Sequence, residues 1–211
     1  MAVQTSVAVT ASKPTVVIDA GHGGFDGGAQ GNGINEKEVN LKISKKLECI
    51  SSLFGYEWTM TRNADISTED EHMRTVRERK RSDIKNRLKL MTKDPQSVVV
   101  SIHLNKYPSE SVHGAQVFYA PNSPGSDSLA QTIQTNIRDL LQKENKRQIK
   151  KADKNLFILY NNTTTPAVIV ECGFLSNPHE AELLKNENYQ SKLALAILKS
   201  MIEFESGEDV V

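Results

Sequence analysis

Two histidines and two glutamates stand where the sequence predicts that strands end or a helix begins. His22 lies two residues beyond the apolar run "VVIDA", within the segment "GHGG". His103 ends the run "SVVVSIH", and Glu171 ends the run "PAVIVE". Glu36 opens a helical pattern that follows a long glycine-rich loop. Because ligands bind at the carboxyl ends of the strands of an open parallel sheet, we expect these four side chains to converge at one edge.

These residue types suit metal-assisted hydrolysis. Two histidines and one carboxylate, with a water molecule in the fourth position, form the open tetrahedral set of catalytic zinc. Zinc lowers the pKa of its water to roughly 7, and a separate carboxylate is then needed to accept the proton and pass it to a leaving group. We therefore predict one Zn²⁺ per chain, bound by His22, Glu36 and His103, with Glu171 as general base and acid.

Each of these residues also has a simpler interpretation. A single histidine after a strand is more often a hydrogen-bonded loop residue than a ligand, and Glu36 is a favourable charge at a helix N-terminus. Glu171 could instead pair with Arg62 or Arg87. A phosphate-binding loop at residues 21–28 is a weaker alternative. The coincidence of all four residues at strand or helix ends favours the metal site.

The remaining pattern predicts the fold that would position them. Apolar β-branched runs predict strands, and apolar residues at spacings of three and four predict helices. We predict strands at 15–20, 56–62, 97–103, 114–120, 156–160 and 166–171. We predict helices at 36–54, 74–91 and 126–144, and one or two helices over 178–204. This alternation indicates a single-domain α/β fold, with a mostly parallel twisted sheet and helices on both faces. The run "RERKR" at 77–81 is expected to be a solvated helix face.

Composition narrows the function further. The 211 residues include 26 basic and 26 acidic side chains, with a formal net charge of +0, which disfavours a nucleic-acid or anionic-membrane partner. We expect a flexible leader at 1–14, from which a signal or anchor was removed, a catalytic domain at 15–205 and an acidic tail at 206–211. The two cysteines, Cys49 and Cys172, are expected to be free thiols.

Several segments together resemble a known family. They are "VVIDAGHGGFDGGA", "NEKEVNLKISKKL", "TRNAD", "VVVSIHLN", "HGAQVFY" and "PAVIVECGFLSNPHEAELL", which run in this order from about residue 15 to residue 205. The chain resembles the zinc-dependent N-acetylmuramoyl-L-alanine amidases of bacterial cell-wall turnover, the amidase-3 group. The segments "RKRSDIKNR" and "SIHLN" are more particularly similar to the spore-cortex branch of that group.

The resemblance implies an activity and a site. It implies hydrolysis of the amide that joins the lactyl group of N-acetylmuramic acid to L-alanine of the stem peptide. His22, Glu36 and His103 match the family's zinc ligands, and Glu171 matches its catalytic glutamate. Peptidoglycan is then the substrate, in wall or spore-cortex remodelling and germination, outside the cytoplasm. Arg62 and Asn105 are candidates for site support or substrate contact.

The resemblance leaves regulation and two rival functions open. Some amidases of this group carry an inserted helix that plugs the site, but residues 114–171 are accounted for by strands and one helix. We therefore expect an open site, or control by a separate protein. The rival functions are a zinc peptidase that cuts within the stem peptide, and a non-catalytic protein that binds the wall or a partner.

Overall fold

The structure, a computed structural model, describes residues 14–207. The leader expected at 1–14 and the tail expected at 206–211 therefore lie outside the described residues, apart from three positions at their inner ends. The strands are Val16–Ala20 (β1), Gln30–Gly31 (β2), Ile34–Asn35 (β3), Trp58–Met60 (β4), Val98–Asn105 (β5), Gln116–Tyr119 (β6), Lys150–Lys151 (β7) and Ala167–Phe174 (β8). The helices are Glu36–Leu53 (α1), Val76–Met91 (α2), Ser126–Leu141 (α3), Phe157–Tyr160 (α4), Pro178–Lys185 (α5) and Glu187–Ser206 (α6). Within residues 14–207, every helix is too short or too polar to cross a lipid bilayer.

Six strands form one sheet in the order β4-β1-β5-β8-β6-β7. The first four of these strands are parallel, whereas β6 runs antiparallel to β8 and β7 runs parallel to β6. A separate two-stranded hairpin, β2 with β3, lies within the glycine-rich segment. The predicted α/β fold with a mostly parallel sheet is confirmed.

Helices cover both faces of the sheet because the buried strands carry apolar residues at successive positions. One face packs against α1, α3, α5 and α6, and Val16, Ile18 and Val100 belong to this larger core. The other face packs against α2 and α4, and Val99 and Ile169 belong to this smaller core. Since side chains alternate along a strand, later odd-numbered residues of β5 and β8 share the α2 face. That face carries the site.

The prediction of a strand at 156–160 is wrong. Phe157–Tyr160 forms a single helical turn, in which Ile158 and Leu159 are buried against the α2 face of the sheet. A short apolar run does not distinguish a buried strand from a buried helical turn, because both need consecutive apolar residues. The exposed two-residue strand β7 was not predicted at all. Cys49 and Cys172 are both free, as expected.

Candidate active site

The glycine-rich segment after β1 brings two ligand-type side chains close to the backbone. A Cβ atom at Gly21 would lie only 2.3 Å from the ring of His103, and one at Gly28 would lie 2.6 Å from Glu36 Oε2. His22 itself has a φ of 60°, a left-handed conformation that costs a non-glycine residue strain. The glycines therefore let an imidazole and a carboxylate pack against the loop. That carboxylate makes the loop a poor cradle for phosphate.

Three potential ligands converge at this edge of the sheet. Glu36 Oε1 lies 3.3 Å from His22 Nε2 and 3.0 Å from His103 Nδ1. The two imidazole rings meet edge to face, with centroids 5.0 Å apart. One ligand atom from each residue lies within 4.8 Å of the other two, which is close enough to share a metal ion. Two imidazole nitrogens and a carboxylate oxygen suit zinc.

Glu36 is the first residue of α1, and the fold fixes both of its carboxylate oxygens. Oε2 accepts a hydrogen bond from the backbone N–H of Ala29 at 2.7 Å. Oε1 accepts from the backbone N–H of Leu104 at 3.1 Å and from the Asn40 amide at 3.3 Å. Burial alone would raise the pKa of Glu36, but hydrogen bonds with His103 and His22 lower it far below its usual range. Glu36 is thus an oriented, ionised carboxylate.

Asp26 orients His22. Its Oδ2 lies 2.9 Å from His22 Nδ1, and its Oδ1 pairs with Lys80 Nζ at 3.0 Å. Burial would lower the pKa of His22, but the hydrogen bonds to Asp26 and Glu36 raise it to about 9. With Nδ1 held by a carboxylate, Nε2 is the nitrogen that faces Glu36, as in the carboxylate–histidine–metal arrangement. We did not predict Asp26 from the sequence, although its position four residues after His22 in "GHGGFD" was a signal.

Glu171 lies on the strand next to His103. The two residues are register partners on parallel β8 and β5, so their side chains share the α2 face. Glu171 Oε2 is buried and has no hydrogen-bond partner among residues 14–207. Burial raises the pKa of Glu171 to about 7, against the charge of His103 and with a contribution from Glu36. A carboxyl with such a pKa can both accept and release a proton near neutral pH.

The alternative partner Arg87 does not pair with Glu171. Arg87 Nη1 lies 2.8 Å from Asp19 Oδ1, and Arg87 Nε lies 2.8 Å from Asp83 Oδ2. Its Nη2 donates to the backbone carbonyl of His22 at 2.6 Å. Arg87 therefore fixes the backbone of the glycine-rich loop at residues 21–29 from α2. The hypothesis that it pairs with Glu171 is wrong.

Arg62 is also committed elsewhere. It is buried, and its hydrogen-bond acceptors among residues 14–207 are all backbone carbonyls, those of Ala20, Gly21, Lys37 and Ala64. This arrangement supports the loop rather than neutralising Glu171. Burial and the charge of Arg87 lower the pKa of Arg62 to about 10, despite the opposing effect of nearby carboxylates. The structure thus places Arg62 beneath the loop, where it positions backbone.

Asn105 is the last residue of β5 and lies beyond a register irregularity between β5 and β8. Its side-chain Oδ1 accepts a hydrogen bond from the next backbone N–H, that of Lys106, at 2.8 Å. Its backbone carbonyl accepts from Leu175 N–H at 2.8 Å. Asn105 is half-buried beside the site, and a contact with substrate stays a prediction.

Part of the basic run at 77–81 is not a solvated face. The Arg79 guanidinium lies 3.9 Å from the centroid of the Phe25 ring and pairs with Glu69. Lys80 pairs with Asp26, as described above. Helix α2 therefore contacts the glycine-rich loop through two consecutive basic side chains, and its sequence pattern did not indicate this because the loop lies far away in the chain.

The site opens to solvent. The side chains of His22 and His103 are 25% and 17% exposed. The part of the chain from residue 103 to residue 171 contains two helices. Helix α3 packs against β6 and α6, and α4 packs against α2 and β8. The two imidazole rings are therefore accessible from solvent at the carboxyl edge of the sheet.

Comparisons with known proteins identify the family of the chain. The profile of the Amidase_3 family, described as N-acetylmuramoyl-L-alanine amidase, matches residues 16–203. The germination-specific N-acetylmuramoyl-L-alanine amidase of Bacillus subtilis is 35% identical over 90% of this chain and 78% of its own length. The CwlD amidase from Clostridioides difficile, solved in complex with the GerS lipoprotein, is 35% identical with a TM-score of 0.88, covering 92% of this chain and all of that chain. The amidase AmiC2 of Nostoc punctiforme is 27% identical with a TM-score of 0.77, over 92% of this chain and 98% of that one. The chain therefore belongs to the Amidase_3 family of N-acetylmuramoyl-L-alanine amidases.

Proposed function

We propose that this amidase uses one Zn²⁺, bound by His22, Glu36 and His103, and that Glu171 is its general base and acid. The bond cleaved is the amide between the lactyl group of N-acetylmuramic acid and L-alanine of the stem peptide. One observation carries the proposal. Three converging ligand atoms lie within 4.8 Å of one another, and the carboxyl of Glu171, with an unpartnered buried oxygen, follows on the next strand.

Each residue of the site has a separate role in the proposed reaction. Zinc bound here supplies a Lewis acid for the scissile carbonyl and makes a water molecule more acidic. Glu171 accepts the proton of the attacking water on its carboxylate, and the same carboxyl then donates that proton to the departing amine of L-alanine. Asp26 holds His22 in the orientation that presents Nε2. The arginines beneath the loop keep its backbone fixed, so little reorganisation is needed during the reaction.

Two substitutions separate the proposed roles. Glu171→Gln removes the proton acceptor but no ligand, so it should retain zinc and lose about 10²- to 10⁴-fold in kcat. His103→Ala should lose zinc as well as activity. His72→Ala is the matched control, because His72 is exposed and outside the site. Zinc content and turnover of peptidoglycan are measured for all three. Full activity in Glu171→Gln, or full zinc content in His103→Ala, would contradict the assignment.

The products distinguish the amidase from its rivals. Mass spectrometry of peptidoglycan fragments should show whole stem peptides that begin with L-alanine, and a zinc chelator should abolish their release. Shorter peptides or single amino acids would indicate a peptidase that cuts within the stem. Binding to the wall without any cleavage, even with added zinc, would indicate a non-catalytic protein.

The relatives support a place of action. One is named a germination-specific amidase, and another was solved with a lipoprotein. We infer that this chain acts outside the cytoplasm on wall or spore-cortex peptidoglycan, and that a separate lipoprotein associates with it. Spores formed without the protein should keep their stem peptides on the cortex glycan. An unchanged cortex composition would contradict this role.

A further inference from the structure

A row of side chains crosses the carboxyl edge of the sheet on its α2 face. Strand β8 lies between β5 and β6, and Glu171 is the register partner of both His103 and Gln116. Register partners present their side chains on the same face, and neighbouring strands lie about 4.8 Å apart. The row therefore runs from the metal ligands through Glu171 to Gln116.

Arg147 extends this row beyond Gln116. Its Nη1 donates to Gln116 Oε1 at 3.2 Å, and its Nε donates to the backbone carbonyl of His113 at 2.8 Å. The guanidinium carbon lies 4.6 Å from the centroid of the Phe174 ring. Gln116 is buried and its amide donates to the backbone carbonyl of Gln148. The guanidinium is therefore held on three sides.

This fixed cation is not neutralised by the protein. No carboxylate lies within 4.0 Å of Arg147 among residues 14–207, in contrast to Arg79 and Arg87. Burial raises the pKa of Glu180 and the charge of Arg147 acts to lower it, but both oxygens of Glu180 accept hydrogen bonds from the backbone N–H groups of Gly114 and Phe174. A guanidinium has five N–H donors, and the structure engages two of them here. The remaining donors can bind a carboxylate.

The direction in which the substrate lies across the site identifies the carboxylate that Arg147 can bind. In the function proposed above, the scissile carbonyl lies at the metal ligands and its amine leaves towards Glu171. Continuing along the row, the peptide side of the substrate passes over β6. One extended residue spans about 3.3–3.6 Å, so the second stem residue begins about 3.5 Å from the scissile nitrogen and ends about 7 Å from it. That residue is D-glutamate joined through its γ-carboxyl, which leaves its α-carboxylate free unless it is amidated.

We propose that Arg147 binds the free α-carboxylate of the second stem-peptide residue, and that this contact makes the enzyme prefer D-glutamate to D-isoglutamine at that position. The proposal rests on the function proposed above, since it takes the direction of the substrate from the roles of the ligands and Glu171. Arg147 is a specificity-determining residue in this account, and Gln116 positions it.

Binding of two product peptides tests the contact directly. L-Ala-γ-D-Glu-L-Lys and its D-isoglutamine analogue differ only in the carboxylate in question. The zinc-loaded enzyme should bind the acid peptide about 10- to 100-fold more tightly, the range expected for hydrogen bonds to a charged group. Arg147→Gln should abolish the difference. Lys146→Gln removes a neighbouring exposed cation and should preserve it. Titration calorimetry gives all of these affinities.

A second variant keeps the guanidinium in place. Gln116→Glu puts a carboxylate next to Arg147, which should neutralise the cation and also abolish the preference. Equal affinity of the wild-type enzyme for both peptides would overturn the proposal. So would an equal loss of affinity for both peptides in Arg147→Gln, because that result indicates a structural role.

Turnover separates this proposal from the proposed function. Disaccharide substrates that carry the same two tripeptides should show the same preference in kcat/KM, and Arg147→Gln should remove it. If neither substrate is cleaved while the binding preference depends on Arg147, the proposed function fails and the carboxylate contact stands. If both substrates are cleaved without a preference, the proposed function stands and the contact is refuted.

Discussion

The buried pair of Arg87 and Asp19 allows a quantitative test of the interactions that fix the glycine-rich loop at residues 21–29. Arg87→Met preserves much of the apolar stem but removes a guanidinium that donates to two carboxylates and two backbone carbonyls, one of them that of His22. Asp19, which is fully buried, would then keep only two hydroxyl donors. The variant should therefore be strongly destabilised, because a buried charge loses its partner.

The structure gives the size of the effect. Burial alone would raise the pKa of Asp19, but the charges of Arg87 and His103 and the hydrogen bonds from Ser101 and Thr61 together outweigh it, and the pKa falls from 3.8 to about 2. At about 1.4 kcal/mol for each pKa unit, this corresponds to about 2 kcal/mol of stabilisation. Arg87→Met should cost about 3–5 kcal/mol at pH 7, because the penalty for burying Asp19 remains. In the double variant Arg87→Met/Asp19→Asn, about 0.5–3 kcal/mol of that loss should be recovered as coupling energy, the range for groups in one hydrogen-bonded network.

The pH dependence has a definite sign. A carboxyl whose pKa is lowered in the folded state stabilises the protein fully above its unfolded pKa, and loses this contribution as the pH falls. For Asp19, the wild-type free energy of unfolding should therefore decline between about pH 5 and pH 2. In Arg87→Met the buried, unpaired Asp19 has a raised pKa instead. Its contribution to stability should then increase as the pH falls through that raised pKa towards the unfolded pKa.

Urea unfolding at several pH values measures both the coupling energy and the pH dependence of the free energy of unfolding. A chelator in every sample keeps metal binding out of the comparison. The wild type, the two single variants and the double variant complete a thermodynamic cycle. A coupling energy below about 0.5 kcal/mol, the limit of additivity for independent sites, would refute the reasoning. The same conclusion would follow if Arg87→Met and the wild type changed in parallel with pH.

Two further predictions concern the loop itself. Gly21→Ala should abolish zinc binding, because the added Cβ would lie 2.3 Å from the ring of His103. Gly27→Ala is the control, since its Cβ would make only an ordinary contact at 3.4 Å. Equal zinc content in the two variants would contradict the argument. Asp26→Asn should weaken zinc binding about 10- to 100-fold in a chelator competition, because it loses the carboxylate that orients His22, and an unchanged affinity would show that Asp26 is dispensable.

The sequence predicts the positions of the site residues because strand ends are local features. An apolar run that stops at His103 or Glu171 lies near the end of a buried strand, although β5 continues to Asn105 and β8 to Phe174, and parallel strands bring such ends to one edge. Glu36 is likewise marked by the start of an amphipathic helix. The convergence of these residues therefore follows from patterns within short windows of the chain. The metal they bind and their catalytic roles remain proposals.

The partners of the loop could not be predicted in the same way. Lys80 and Arg87 contact residues 26 and 22 across the fold, and neither pair leaves a periodic pattern in the sequence. Charged residues on a helix predict a solvated face unless the neighbouring element is known. The direction of β6 has the same origin, since a single short strand carries no signal of whether it runs parallel or antiparallel. These features depend on long-range packing.

The place of β8 in the sheet gives the chain an order of assembly. His22, Glu36 and His103 precede β6, whereas Glu171 belongs to the last strand, which inserts between β5 and β6. During synthesis, the three proposed ligands therefore leave the ribosome long before Glu171, the proposed proton acceptor. A chain cut short before residue 167 could hold the metal ligands without the base, and the sheet would lack the strand that joins its two halves. In the mechanism proposed above, the enzyme therefore becomes active only when β8 is in place.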